Sequence, residues 1–234
     1  MSYVFDWQRV LSGRYLEWII QGVWISLSLM LLSTIFAIVQ GALLTLGQLS
    51  KHRIIRFTSF IFIELSRGIP TLIWLFLFYF VFPLLFPETI GVRLNAFHSL
   101  NYWAAVAGLS ISSSGYISEI MRGGIASVPN EHISAAYTSG LSRFNTWRHI
   151  IIPQALRICF PPLVSRIIHN LKNSSLALTI SVREIVWASR QIESITFRGI
   201  EATIIVTVFF LCINYSISRG AMLLEKVLYK NKFL

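Results

Sequence analysis

From Trp18 to Ser50 the chain runs for 33 residues without a charged side chain. About 20 apolar residues are enough to carry an α-helix across the hydrocarbon core of a bilayer. In that solvent only helices and closed barrels satisfy their own backbone groups. This run therefore constrains the whole chain to a membrane fold, with a first span that is long, tilted or protruding. Gln21, Ser26, Ser28, Gln40 and Gln48 punctuate it, so part of its surface is expected to pack on other helices and not on lipid. Composition agrees, since 13% of residues are charged and 55% are hydrophobic, against about 25% charged in an average soluble domain.

Four further apolar runs follow. The predicted fold is an all-α membrane protein with about five transmembrane helices, near residues 18–50, 57–86, 95–118, 158–180 and 202–218. The run 57–86 is interrupted by Glu64, Arg67, Gly68 and Pro70. It reads as one bent span with Arg67-Gly68-Ile69-Pro70 at the bend, and two separate segments remain an alternative. The run 95–118 is rich in alanine, glycine and serine, which let helix backbones approach closely, so it belongs inside the bundle or at a subunit interface. Residues 1–17 form a polar and aromatic segment with Trp7 and Tyr15 as interfacial anchors, and 226–234 a basic tail. Met1 to Val10 lacks the basic start and short apolar core of a cleaved signal.

The net charge of +10 would point to nucleic acid in a soluble protein. Here the basic residues sit in short loops, and no nucleic-acid partner is expected. Five spans place eleven lysines and arginines on one side and six on the other, and the richer side should be cytoplasmic, with the N-terminus outside. Cys159 and Cys212 lie inside apolar runs, and the five histidines form no ligand cluster, so neither a disulfide nor a metal site is expected. No phosphate-binding loop, H-E-x-x-H or G-x-S-x-G motif is present. ATP hydrolysis by this chain is not expected.

The longest polar interruption is Val128 to Arg157. Asn130 reads as an N-cap with Glu131 in the first turn, Ala135 and Ala136 favour helix, and Gly140 reads as the glycine that ends it. Ser142 can cap a second helix with Phe144, Trp147 and Ile151 at helical spacing. Pro153 is expected to break or kink the chain before the fourth span.

This stretch resembles the coupling loop of permease subunits of ATP-binding-cassette importers. Their pattern is E-A-A, three residues, G, nine residues, I-x-L-P. The chain has Ser134-Ala135-Ala136, Gly140 and Ile150-Ile151-Ile152-Pro153 at the same spacing, with serine at the glutamate position and isoleucine at the leucine. Glu131 lies one turn before Ser134. Ile117 to Ile125, Ser127-Val128-Pro129, Arg67-Gly68-Ile69-Pro70 and Leu171 to Ala177 look like the polar-amino-acid branch, the histidine, glutamine and glutamate permeases of the type I fold. The similarity runs from about Trp18 to Glu225.

The resemblance implies a permease domain over 18–225 with a two-helix cytoplasmic coupling loop at 128–157, in a multi-pass protein of the bacterial inner membrane. Glu131, Ser134, Ala135, Ala136, Gly140, Ile150 and Pro153 would couple to the ATPase. Two ATP-binding-cassette subunits would hold ATP and magnesium, a second permease, identical or homologous, would complete the pore, and an external solute-binding protein would deliver substrate. Glu64, Arg67, Glu119, Lys172, Asn173, Ser174 and Ser175 are the candidates for the substrate path. For the ionisable ones the alternatives are internal ion pairs and snorkelling at helix ends. Arg166 reads as a snorkelling residue and His169 as a packed one. The competing function is a small channel or an accessory membrane-assembly subunit without ATPase coupling.

Overall fold

The computed structural model describes residues 3–95 and 99–230, which form helices and no strand. Residues 1–2 of the N-terminal segment, 96–98 of the expected third span and 231–234 of the basic tail lie outside the described residues.

Helix α1 is the single turn Trp7–Val10, capped by the Asp6 carboxylate, which accepts from the Arg9 amide at 3.1 Å. Helix α2, Gly13–Gln48, has 36 residues and is about 54 Å long at the α-helical rise. It begins before the charge-free run, because Arg14 and Glu17 sit in its first turns, which extend past the apolar part. The N-terminal segment is pinned to the start of the last helix, where Tyr3 Oη and the Asp6 amide both donate to the Glu201 carboxylate.

Helix α3, Arg53–Gly68, and helix α4, Thr71–Phe76, meet at a bend of 106°. The cause is local. Pro70 has no amide to donate and bars Ile69 from helical geometry, and both residues are extended, at ψ 128° and 140°. Helix α4 runs on through a π-turn, Leu77–Val81, and a 3₁₀ turn, Phe82–Leu85. Residues 87–94, which lie between the second and third expected spans, are mostly helix α5, Glu88–Asn95. Glu88 in its first turn and Arg93 in its last complement the helix dipole.

Helix α6, Leu100–Ala126, packs on α2, α3 and α4. The small residues permit this. Ala104, Ala105, Gly108, Ser110, Ser112, Ser113, Ser114 and Gly115 are all buried. At Gly108 a Cβ would lie 2.9 Å from the Leu75 backbone nitrogen, so only glycine allows α4 to sit this close. The main apolar cluster lies around this contact, with Leu29, Leu75, Leu109 and Ile180 at its centre. Where lipid is the solvent, such packing is held mainly by van der Waals contact.

Helix α7 is Asn130–Thr138, and helix α8 is Arg143–Thr146. Helix α8 continues through a π-turn, Trp147–Ile151, into helix α9, Ile152–Asn173, and a 3₁₀ turn, Ser174–Ile180. Two expectations are corrected here. Pro129, not Asn130, is the residue before the helix, and Asn130 is already its first member. Pro153 does not break the chain, which is helical from Arg143 to Ile180 over 38 residues. The wide π-turn, in which the Ile152 amide reaches back to the Trp147 carbonyl, immediately precedes the proline and accommodates its ring and missing donor.

Helix α10, Ile185–Thr196, and helix α11, Gly199–Lys230, complete the chain. Among the described residues three helices are long and apolar enough to cross a membrane, and up to four if α3 and α4 count as one bent span. Helix α6 is not among them, although its 27 residues are long enough, because its serines lower its mean hydropathy.

Glu184 is fully buried and caps α10, accepting from the Val186 and Trp187 amides at 2.9 and 2.8 Å. Burial pushes its carboxyl up to about 7, against those two amides and the Ser26 hydroxyl, which pull it down. The folded form thus holds a proton that an unfolded carboxyl has already released. The stability of α10 is then greatest below about 4.5 and falls as pH rises toward about 7. Hydrogen exchange of α10 amides, corrected for intrinsic rate, should show less protection at pH 8 than at pH 5. In Glu184→Gln that difference should vanish, and its persistence would assign the effect to another group.

Candidate functional site: a lever and a polar face

Helix α7 ends as its sequence dictates. Gly140 has φ +80°, its amide donates to the Tyr137 carbonyl at 3.0 Å, and the Leu141 amide donates to the Ala136 carbonyl at 3.0 Å. This is the paired-bond stop that a left-handed residue makes available. Ser142 then caps α8 by accepting from the Asn145 amide at 3.3 Å. The inner side of α7 rests on a small cluster of Val128, Ile151 and Ala155, with Ile133 and Trp147 against it. His132 Nδ1 lies 2.9 Å from Gln154 Oε1. Ala136 is buried, while Glu131, Ser134, Ala135 and Tyr137 are exposed on the outer side, as are Phe144 and Pro153, and Ile150 is half-buried. The expected alignment of Phe144 with Ile151 does not hold. Phe144 is 69% exposed and Ile151 is buried, because the π-turn shifts the helical register between them.

The second feature is a polar face built by the α3–α4 bend, α6 and α9. Tyr116 lies between two cations, with the Arg166 guanidinium 4.1 Å and the Arg67 guanidinium 5.5 Å from its ring centre. Arg166 also donates to the Ser112 carbonyl and to Ser113 Oγ, both at 3.2 Å. Its Nε is buried with no partner among the described residues. Thr71 Oγ1 is 2.7 Å from Ser112 Oγ, and Asn173 Nδ2 donates to Thr71 Oγ1 at 3.3 Å. His169 Nδ1 lies 3.2 Å from Asn173 Nδ2. Beneath this face Asn170, 1% exposed, clasps three helices. Its amide donates to Ser33 Oγ at 2.8 Å and Thr34 Oγ1 at 3.1 Å, and its carbonyl accepts from Ser113 Oγ at 3.1 Å.

The sequence candidates for the path separate in space. Arg67 and Asn173 are on the polar face. Lys172 is exposed beside Asn173, and its ammonium has no hydrogen-bond or ion-pair partner among the described residues. Ser174 and Ser175 donate to the carbonyls of Leu171 and Lys172, each at 2.7 Å, so their hydroxyls serve their own turn. Glu64 pairs with Arg67 at 3.4 Å and Glu119 with Arg122 at 2.7 Å, the pairings that their three-residue spacing predicts. Sequence reasoning did not single out Asn170, Tyr116 or Thr71. The signal available was an asparagine inside an apolar run, which has to find partners in other helices.

The family described as the binding-protein-dependent transport system inner membrane component matches residues 33–228. The chain belongs to this family. Among curated members, the probable amino-acid permease protein YxeN of Bacillus subtilis is 33% identical over 91% of this chain and 92% of its own. The permease protein HisM of the histidine/lysine/arginine/ornithine transport system of Salmonella typhimurium is 34% identical over 83% of each chain. Among solved structures, an amino acid ABC transporter with histidines superposes with a TM-score of 0.83 at 26% identity, covering 96% of this chain and 99% of that one. The MetNI methionine transporter, at 17% identity and a TM-score of 0.74, shares the fold. The chain is thus an inner-membrane permease subunit, and the ATPase of its system is a separate subunit.

Proposed function

We propose that the chain forms, with a second permease subunit, the translocation path of an ATP-driven importer for a polar amino acid. The observation that carries this reading is the unbroken helix from Arg143 to Ile180. One end holds α7 through the Val128, Ile151 and Ala155 cluster, and the other carries Arg166, Lys172 and Asn173. A push on α7 is therefore transmitted to the polar face along one continuous helical segment, which contains the π-turn and Pro161-Pro162. The outer side of α7, with Glu131, Ser134 and Ala135, docks in a groove of the ATPase, where ATP and magnesium are held. Glu131 supplies the negative charge that Ser134 lacks.

Five spans accommodate the helices: α2, the bent pair α3–α4, α6, α9 and α11. The N-terminus lies outside and α7 in the cytoplasm, in line with the excess of basic residues on that side. Two permeases face each other across their polar faces, an external binding protein delivers the substrate, and the path opens alternately to each side. An amino-acid carboxylate travels along Arg166 and Lys172, while Glu64 and Glu119 neutralise Arg67 and Arg122. The relatives named for amino-acid transport support the substrate class.

The complex purified through a tag on this chain should bring down an ATPase in stoichiometric amount. Glu131→Ala should lower that yield several-fold, and Glu225→Ala, on the basic side but away from α7, should not. Equal yields from both variants would remove Glu131 from the contact. A complex with no ATPase at all would favour a channel.

A further inference from the structure

Where α2 ends against α3 and α6 the surface holds an open groove of about 590 Å³. Arg53, Arg56, Phe57 and Phe60 line it from one face of α3, at the spacing that puts side chains in one row. Gln48 closes it from α2, and the Glu119–Arg122 pair closes it from α6. Its charges are not equivalent. Glu119 is occupied by Arg122 and by Gln48, which donates to it at 3.0 Å, and Glu64 is occupied by Arg67. Arg53 and Arg56 have no ion-pair partner among the described residues, and the first turn of their helix contains no acidic residue. Beside these two guanidiniums Phe57 and Phe60 present open apolar surface, 60% and 53% exposed.

We infer that this groove binds an anionic phospholipid of the inner leaflet, with the headgroup phosphodiester on Arg53 and Arg56 and an acyl chain along Phe57 and Phe60. A guanidinium presents paired donors that match phosphate oxygens, and basic pockets between membrane helices on the cytoplasmic side suit such headgroups. A zwitterionic amino acid fits poorly, because both carboxylates that would take its ammonium are already paired. A free phosphate would leave the phenylalanine surface uncovered. The groove lies at the end of α2 that the proposed orientation puts in the cytoplasm, and to that extent the inference rests on that orientation.

The test is the lipid retained by the intact permease–ATPase complex purified in mild detergent, measured by mass spectrometry. The complex is then stripped and titrated with phosphatidylglycerol, phosphatidylethanolamine and inorganic phosphate. Wild type should retain phosphatidylglycerol over phosphatidylethanolamine. Arg53→Gln with Arg56→Gln should retain about thirtyfold less, as two juxtamembrane basic residues would confer. Arg53→Lys with Arg56→Lys should recover most of it, and this pair carries the test if the glutamine variant does not assemble. Lys51→Gln with Lys226→Gln removes the same charge from the same side outside the groove and should retain lipid as wild type does. Equal loss in that control would make the effect diffuse surface charge. Full retention in the glutamine variant, or displacement of the lipid by inorganic phosphate or by a polar amino acid, would overturn the assignment. The readout does not use transport or ATPase recovery. Maleimide labelling of Lys51→Cys in whole cells reports separately whether this end of α2 is cytoplasmic.

Discussion

Gly140→Val should reduce ATP-driven uptake about tenfold or more while the chain still reaches the membrane in normal amount. An L-residue in the left-handed region costs about 1–2 kcal/mol, and a β-branched one fits it worst. A Cβ at Gly140 would meet nothing within 4 Å, so the damage is to the backbone and not to packing. Moving out of φ +80° gives up the bonds from the Gly140 and Leu141 amides that stop α7 and set the direction of α8. A loss of 1.4 kcal/mol shifts the population of the native pose about tenfold, and the pose is what the ATPase would grip. Gly140→Asn should keep most of the uptake, because asparagine enters this region readily. Uptake per unit of membrane-inserted protein is the measurement. Normal uptake in the valine variant would remove Gly140 from the coupling device.

Lys172→Met should raise the half-saturating substrate concentration about tenfold without lowering the amount of assembled complex. A lysine ammonium at membrane depth costs about 2.5–3.5 kcal/mol on insertion scales. Lys172 has no partner among the described residues to offset this, and it is exposed next to Asn173 on the polar face. A passing carboxylate is the group that would offset it. Arg166→Met is the informative contrast. Arg166 holds the Ser112 carbonyl, Ser113 Oγ and the Tyr116 ring, so its loss should lower the yield of assembled complex as well as uptake. Unchanged uptake and affinity in Lys172→Met would make the lysine structural.

Much of the α7–α8 segment was legible because its signals are local. Gly140 as the stop of α7 and Ser142 as the cap of α8 follow from backbone preferences that act within a few residues. The bend at Arg67–Pro70 was legible for the same reason, since a proline constrains its own φ and its neighbour's ψ. Pro153 was misjudged because a π-turn five residues long absorbs it, and no residue type announces such a turn. The register slip it causes also turned Phe144 outward. The polar face was half visible. Its cations stand out in apolar runs, but the Asn170 clasp joins residues 57, 136 and 137 positions apart in the chain, a distance over which composition and periodicity carry no signal. Ser174 and Ser175 looked like lining groups in sequence, yet a 3₁₀ turn gives both hydroxyls a carbonyl three residues back.

The most direct test of the central claim is uptake of labelled polar amino acids by proteoliposomes containing the purified complex with its ATPase and binding protein. The account predicts concentrative uptake of at least one polar amino acid that requires both internal ATP and the binding protein, and that stops when the ATPase is inactivated. Amino-acid flux that runs down its gradient through this chain without ATP would contradict it.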